Sequence, residues 1–291
     1  MEKYHEPVLL REVIEALEVK RGKWFLDCTL GDGGHALEIL NGGGNVLGID
    51  VDPEALKRAK ERLGKFGRLV LIRGNFRDIK NLLMQTELKD QKFKGALFDL
   101  GVSSLQLEDP ERGFSFLREG PLDMRMDPDL QVRALDLVNG LNKGELYELF
   151  NKLGEEKFAR AISDALVSAR KVRPIETTRD LAEILEKVVR RKEKIHPATR
   201  VFQALRIAVN DELKALEEGL NQVKDLIEKN GHILVISFHS LEDRITKFTF
   251  KKWQSLQLGE ILTKKPIRPS YEEIVSNPRA RSAKLRIFKK I

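Results

Sequence analysis

The sequence predicts an α/β fold, a mostly parallel sheet interrupted by an inserted all-helical domain. Three observations predict it. Four short apolar runs alternate with helical stretches over the first hundred residues; the alternation stops after Gly101, leaving only amphipathic helices to about Arg200; and an apolar run resumes at 232–238. Strands that alternate with helices pair in parallel through right-handed crossovers.

Each element has its own signal. A first helix is expected over 8–17, where Leu10, Val13, Ile14 and Leu17 follow helical spacing. The apolar runs 24–28, 46–49, 69–72 and 96–100 read as strands, with helices at 36–40 and 53–66 between the early ones. Pro53 sits at a favoured helix start. Within the insertion, Phe158, Ile162, Ala165, Leu166 and Ala169 share one helix face, and Leu181, Ile184, Leu185, Val188 and Val189 the next, with Thr178 as the expected N-cap. A long helical region over 197–228 leads to the strand 232–238, and a helix fits 241–253. The tail 261–291 supplies a closing antiparallel pair whose last strand is 283–288. The expected organisation is one domain from 1–106 and 200–291, interrupted by a helical domain at 107–199.

Composition narrows the class. Among 291 residues, 41% are hydrophobic and 33% charged, the balance of a globular chain rather than a disordered or membrane one. Lys and Arg total 52 against 45 for Asp and Glu, a net charge of +7 that modestly favours a polyanionic partner. The only cysteine, Cys28, excludes an internal disulfide, and with five scattered histidines it gives no zinc-ligand spacing, so no metal is expected. The start of the chain lacks the apolar core of a signal peptide and no run approaches a membrane span, which points to the cytoplasm and to no membrane partner.

The first chemical motif is Asp27-Cys28-Thr29-Leu30-Gly31-Asp32-Gly33-Gly34-His35-Ala36, a glycine turn between a strand and a helix. Ligands bind open α/β sheets at such strand ends. Gly31, Gly33 and Ala36 also satisfy the dinucleotide fingerprint, and Asp50 stands where an acid would meet a ribose. The turn therefore implies an adenosine cofactor without choosing between nicotinamide and sulfonium chemistry. Two later strand ends shift the choice toward a sulfonium methyl donor. Gly74-Asn75-Phe76-Arg77-Asp78 offers a ring and an acid for adenine, and Asp99-Leu100-Gly101-Val102-Ser103-Ser104 places an acid where amine methylation needs one. Asp99 would accept from the amine protons and bend the lone pair out of the base plane, with Ser103 or Ser104 fixing the base. Carbon-5 methylation of cytosine is disfavoured, since it needs a cysteine nucleophile and Cys28 reads as core. A nicotinamide oxidoreductase and a non-catalytic RNA-binding assembly factor are the rival readings.

Longer motifs carry a resemblance. The segments His5-Glu6-Pro7-Val8-Leu9-Leu10, Gly31 to His35, Phe98 to Ser104, Arg112-Gly113-Phe114-Ser115-Phe116, Gly120 to Asp127, Thr199 to Asn210, Ser237 to Arg244 and Asn277 to Arg286 run almost end to end. Together they resemble the bacterial 16S ribosomal RNA cytosine-N4 methyltransferases. The resemblance implies a class I (Rossmann-like) methyltransferase sheet with an inserted helical domain, S-adenosyl-L-methionine as cofactor, and N4-methylation of a cytidine in the decoding region of 16S rRNA within the small ribosomal subunit. It also implies cofactor contacts from Gly33, Gly34, His35, Asp50, Phe76, Asp99 and Gln106, with Asp99 catalytic. Leu105 departs from the proline that many relatives carry before that glutamine. RNA rather than DNA is specified by the resemblance alone.

Candidate RNA contacts are basic. From 264 to 291 nine Lys or Arg stand against two acids, with Arg279 and Arg281 the best placed for phosphates. Arg112, Arg118 and Arg125 follow the proposed catalytic loop and are expected to grip RNA, while Met124 and Met126 pack a domain junction. His239, after the fifth predicted strand, is a further substrate candidate. The run Arg190-Arg191-Lys192-Glu193-Lys194 reads as a helix end whose cations favour the dipole. A target cytidine in structured RNA must leave its stack to reach the methyl.

Overall fold

The computed structural model describes residues 4, 6–189 and 196–291; His5 of the first motif and the basic run 190–194 lie outside the described residues. The chain divides into two compact units, 1–101 with 213–291 and 102–212.

The first unit begins with α1 (Leu10–Leu17), β1 (Trp24–Asp27), α2 (Gly34–Asn41), β2 (Asn45–Asp50), α3 (Pro53–Leu63), β3 (Leu69–Arg73), α4 (Ile79–Met84) and β4 (Phe93–Asp99). The start of α3 is set locally: Asp52 accepts from the Glu54 N–H at 3.0 Å and Pro53 occupies the first turn, where its missing N–H costs nothing. Pairing is parallel among β3, β2, β1 and β4. Because β1 lies between β2 and β4, strand order reverses beside it, and that switch point opens at the carboxyl ends of β1 and β4.

The second unit holds α5 (Ser104–Glu108), α6 (Ala134–Gly140), α7 (Lys143–Gly154), α8 (Ala159–Arg170), α9 (Thr178–Val188) and α10 (Ala198–Asn210). Its core gathers Leu146, Phe150, Ile162, Leu166, Leu181, Leu185, Val201 and Leu205. Among its described residues the only extended pairing is the isolated bridge Pro121–Thr177. Its limits differ from the expected 107–199: α10 belongs to this unit, since Val201, Phe202, Ala204 and Leu205 bury their side chains in the helical core. Thr177, not Thr178, caps α9, accepting from the Asp180 N–H at 3.0 Å. Thr178 is buried and donates to the Arg118 carbonyl. Phe158 precedes α8 and is 42% exposed rather than on its buried face.

The expected helical region 197–228 is broken at Asp211, whose φ of 50° lies in the left-handed region. Beyond it α11 (Glu212–Leu226) leads back to the sheet through β5 (Ile227–Ser237), α12 (Ser240–Ser255), β6 (Gly259–Ile261), α13 (Tyr271–Ser276) and β7 (Lys284–Lys290). β5 is parallel to β4, and β7 runs antiparallel to both β5 and β6, the closing arrangement expected of the tail. The complete order is β3-β2-β1-β4-β5-β7-β6. Two apolar layers hold the sheet. Leu26, Leu47, Phe98 and Val235 pack with Leu216, Leu220, Phe250 and Trp253 on one face. Phe25, Val46, Leu97 and Leu234 pack with Val13, Leu17, Ile39 and Leu63 on the other.

Candidate functional site

The switch point collects acids because three parallel strands each end in one: Asp27 on β1, Asp50 on β2 and Asp99 on β4. The glycine turn is built around the second. The Gly31 N–H donates to Asp50 Oδ2 at 2.8 Å, the Asp52 N–H donates to Oδ1 at 2.9 Å, and the Leu30 N–H donates to the Ile49 carbonyl. Gly33 has φ 80°, and a Cβ there would stand 2.5 Å from Leu63 Cδ1. A Cβ on Gly34 would meet Pro7 Cγ at 2.4 Å. Arg62, from the last turn of α3, holds Asp32 at 2.9 Å. Nothing stands within 4 Å of a Cβ built on Gly31, so the turn is open on that side.

His35 opens α2 beside this turn. Its Nε2 is 3.0 Å from the Val8 carbonyl, which can only accept, so that nitrogen carries the proton. Its Nδ1 lies 3.7 Å from Asp99 Oδ2. Asp99 is fixed through its backbone, whose N–H donates to Thr29 Oγ1 at 2.6 Å, while its Oδ1 is buried with no hydrogen-bond partner. An orphaned buried carboxylate oxygen is costly and marks a place where a ligand donor belongs.

Burial raises the pKa of all three acids. Burial, then the neighbouring Asp27 and Glu242 charges, pushes Asp99 well above the carboxylate range. Burial raises Asp27 to about 7 and Asp50 to about 6, the latter against the pull of its backbone N–H donors. Such a cluster favours a cationic ligand group over an anionic one. The turn amides agree: Gly31 donates to Asp50 and Gly33 to the Leu30 carbonyl, so neither is left for a pyrophosphate. The acids and the engaged amides together suit a sulfonium donor. Cys28 is buried, its thiol pushed up by burial, as a core residue rather than a nucleophile.

Phe76 starts a 3₁₀ turn capped by Asn75, which accepts from the Arg77 N–H. Its ring meets Phe98 edge-on at 5.3 Å and lies against Gly219 of α11, leaving it half-buried at the end of β3.

Other expected site residues are placed differently. Gln106 is buried in a capping box, its Oε1 accepting from the Ser103 N–H at 3.0 Å. Arg125 pairs with both oxygens of Asp123 at 2.8 Å and donates to the carbonyls of Pro128 and Leu130. Arg112 donates to the carbonyls of Arg125 and Met126, and Arg118 to that of Glu108. These arginines brace a loop, and Met124 and Met126 belong to the helical unit's own core rather than a junction. His239 caps α12, and its Nε2 lies 3.1 Å from Glu242 Oε1 with 8% of the side chain exposed. Arg279 and Arg281 stand exposed on the 3₁₀ turn Pro278–Ser282. Sequence reasoning missed Arg62 and Glu242. A cation in the last turn of α3 and an acid three residues after His239 are common surface patterns, and neither announces a site.

A sheet of this order, with its last long strand antiparallel and acids at the switch point, is that of the class I methyltransferases, and S-adenosyl-L-methionine is the cofactor of this chain. The family model described as the MraW methylase family matches residues 2–291, and the chain belongs to that family. Ribosomal RNA small subunit methyltransferase H of Persephonella marina is 50% identical over 293 residues, covering 99% of each chain. The protein of the same name from Coprothermobacter proteolyticus is 44% identical, covering 98% of this chain and 96% of its own. Among solved structures, an rRNA methylase from Streptococcus thermophilus aligns over 99% of each chain at 11% identity, with a TM-score of 0.46. Among the described residues no helix is long and apolar enough to cross a membrane.

Proposed function

We propose that this chain transfers a methyl group from S-adenosyl-L-methionine to the exocyclic N4 of a cytidine in the decoding region of 16S rRNA, acting on the small ribosomal subunit in the cytoplasm. The ribosomal RNA substrate follows from the name its relatives share. The amine acceptor rests on one observation, the orphaned Oδ1 of Asp99 at the end of β4.

When bound, the cofactor supplies an electrophilic methyl on a positively charged sulfur. A positive charge beside Asp99 favours its ionised form, which is otherwise resisted by burial and by Asp27 and Glu242. Ionised Asp99 accepts a hydrogen bond from the cytosine amine, tilting the nitrogen lone pair out of conjugation and toward the methyl. Forming the N–C bond would break the methyl–sulfur bond and leave S-adenosylhomocysteine, and the nitrogen would lose a proton for which Asp99 is the acceptor. Positioning of the amine against the methyl contributes most of the acceleration. Asp50 is assigned to the ribose, Phe76 to the adenine, and Gly33, Gly34 and His35 to the cofactor's turn-facing side. Gln106 is assigned to the cofactor on the resemblance. Catalysis is assigned to the unit formed by 1–101 and 213–291, and RNA phosphates to Arg279 and Arg281.

Mass spectrometry of 16S rRNA from cells lacking the protein tests the reaction: N4-methylcytidine in the decoding region disappears and returns on complementation. Complementation with Asp99→Asn should leave it absent while the purified variant still binds S-adenosylhomocysteine. Unchanged methylation without the protein would overturn the proposal.

A further inference from the structure

The motif Glu6-Pro7-Val8-Leu9 and the tail motif around Asn277 have no part in the reaction as described, yet the fold brings them together on the glycine turn. The Leu9 N–H donates to Glu273 Oε1 at 2.7 Å, and Asn277 Nδ2 donates to the Glu6 carbonyl at 3.1 Å. Between these two anchors, Pro7 occupies the space that a side chain on Gly34 would need, and the Val8 carbonyl accepts from His35 Nε2.

The segment cannot hold this path by itself. Leu9 sits at φ 53°, Pro7 has no N–H, and Leu9 offers no side-chain cap to α1. Orphan N–H groups at a helix start are usually satisfied by a local Ser, Thr, Asp or Asn. Here one is satisfied by a carboxylate 264 residues away, whose charge also suits the positive end of the helix. Asn277 is buried, so its anchor is shielded from competing water. The Tyr4 ring lies 4.5 Å from the guanidinium of Arg62, the residue that holds Asp32 of the turn.

We infer that Glu273 and Asn277 are positioning residues for the cofactor site, acting through a strap, residues 6–9, that they clamp against Gly34 and His35. The Val8 carbonyl keeps the His35 proton on Nε2 and so turns Nδ1 toward Asp99, while Pro7 backs the turn. Freeing either end of the strap lets both withdraw, and the turn loses its fixed shape. The inference rests on the cofactor assignment alone, so it stands or falls independently of the RNA base that is methylated.

The test is calorimetric titration of the full chain with S-adenosylhomocysteine. Glu273→Ala and Asn277→Asp each remove one anchor, and the dissociation constant should rise about tenfold. Glu273→Gln keeps an acceptor oxygen for the Leu9 N–H and should restore affinity to within about threefold of the parent. In turnover assays KM for S-adenosylmethionine should rise with kcat nearly unchanged; a residue needed only for folding would lower the active fraction and leave the affinity of the folded fraction intact. Hydrogen exchange on the unsubstituted protein gives a second readout: S-adenosylhomocysteine should slow exchange of the Val8 and Leu9 amides together with those of 31–35. Affinity unchanged within twofold in both anchor variants, a Gln variant no better than Ala, or exchange at Val8 and Leu9 indifferent to the ligand would each overturn the inference.

Discussion

His35 Nδ1 lies 3.7 Å from Asp99 Oδ2, and the tautomer of that histidine is set from behind by the Val8 carbonyl. Asp99 is pushed well above its usual range by burial and by Asp27 and Glu242, so its folded carboxyl retains a proton that a bound cation would expel. Binding of S-adenosylmethionine should therefore release protons near neutral pH, and binding of uncharged-sulfur S-adenosylhomocysteine should release fewer. Titrations in two buffers of different ionisation enthalpy measure the difference. The affinity ratio favouring the sulfonium form should grow as pH rises, and Asp99→Asn should flatten it. Equal proton release for both ligands would rule out Asp99 as the sensing group.

The turn glycines should not be equivalent. Gly33→Ala combines φ 80° with a 2.5 Å approach to Leu63 Cδ1, so it should destabilise the fold by about 1–3 kcal/mol and weaken S-adenosylhomocysteine binding at least tenfold. Gly31 also has positive φ, but the space around its Cβ position is open, so Gly31→Ala should cost only about 1 kcal/mol of stability. Thermal melts with and without ligand separate the two effects. A larger loss of stability at Gly31 than at Gly33 would contradict the geometry.

The sheet was legible because its strands are short apolar runs with clear helical spacers, and the turn was legible because Gly31-Asp32-Gly33-Gly34 has few other uses. The limits of the helical unit were not. The apolar residues of 198–209 show a helix but not which core receives it, and Asp211, an ordinary aspartate in sequence, interrupts the helix by taking a left-handed backbone conformation. The arginines misled for a similar reason. Arg112 and Arg125 look like phosphate ligands beside a catalytic loop, but a loop without regular structure must satisfy its own carbonyls, and these guanidiniums do so. Long-range partners such as Glu273 and Leu9 leave no local periodicity at all.

Asp27 should make stability fall as pH rises. Its carboxyl titrates at about 7 in the folded chain, raised first by burial, against about 3.9 unfolded. The folded state therefore holds the proton between those values. The stabilisation is complete below about pH 4 and is lost as pH climbs through 7. Asp27→Asn preserves an acceptor for the Thr29 N–H and removes the ionisation, so its stability relative to the parent should improve between pH 5 and pH 8, by at most about 3 kcal/mol. Denaturant unfolding at the two pH values measures this. An identical difference at both would show that Asp27 does not titrate in that window.

Arginine position decides which substitutions touch RNA. Arg279 and Arg281 are exposed on a turn preceding β7, whereas Arg125 is locked to Asp123 and two carbonyls. A phosphate contact contributes through counterion release, so each lost contact should lower the slope of log affinity against log salt by about 1. Arg281→Ala should show that reduced slope with an unchanged melting temperature. Arg125→Ala should do the reverse, leaving Asp123 unpaired and two carbonyls without a donor, with stability down by about 2–4 kcal/mol and the salt slope unchanged. Filter binding of a decoding-region RNA fragment across a salt series, paired with thermal melts, measures both quantities on the same samples. A salt slope altered by Arg125→Ala and untouched by Arg281→Ala would move the RNA surface from the tail to the helical unit.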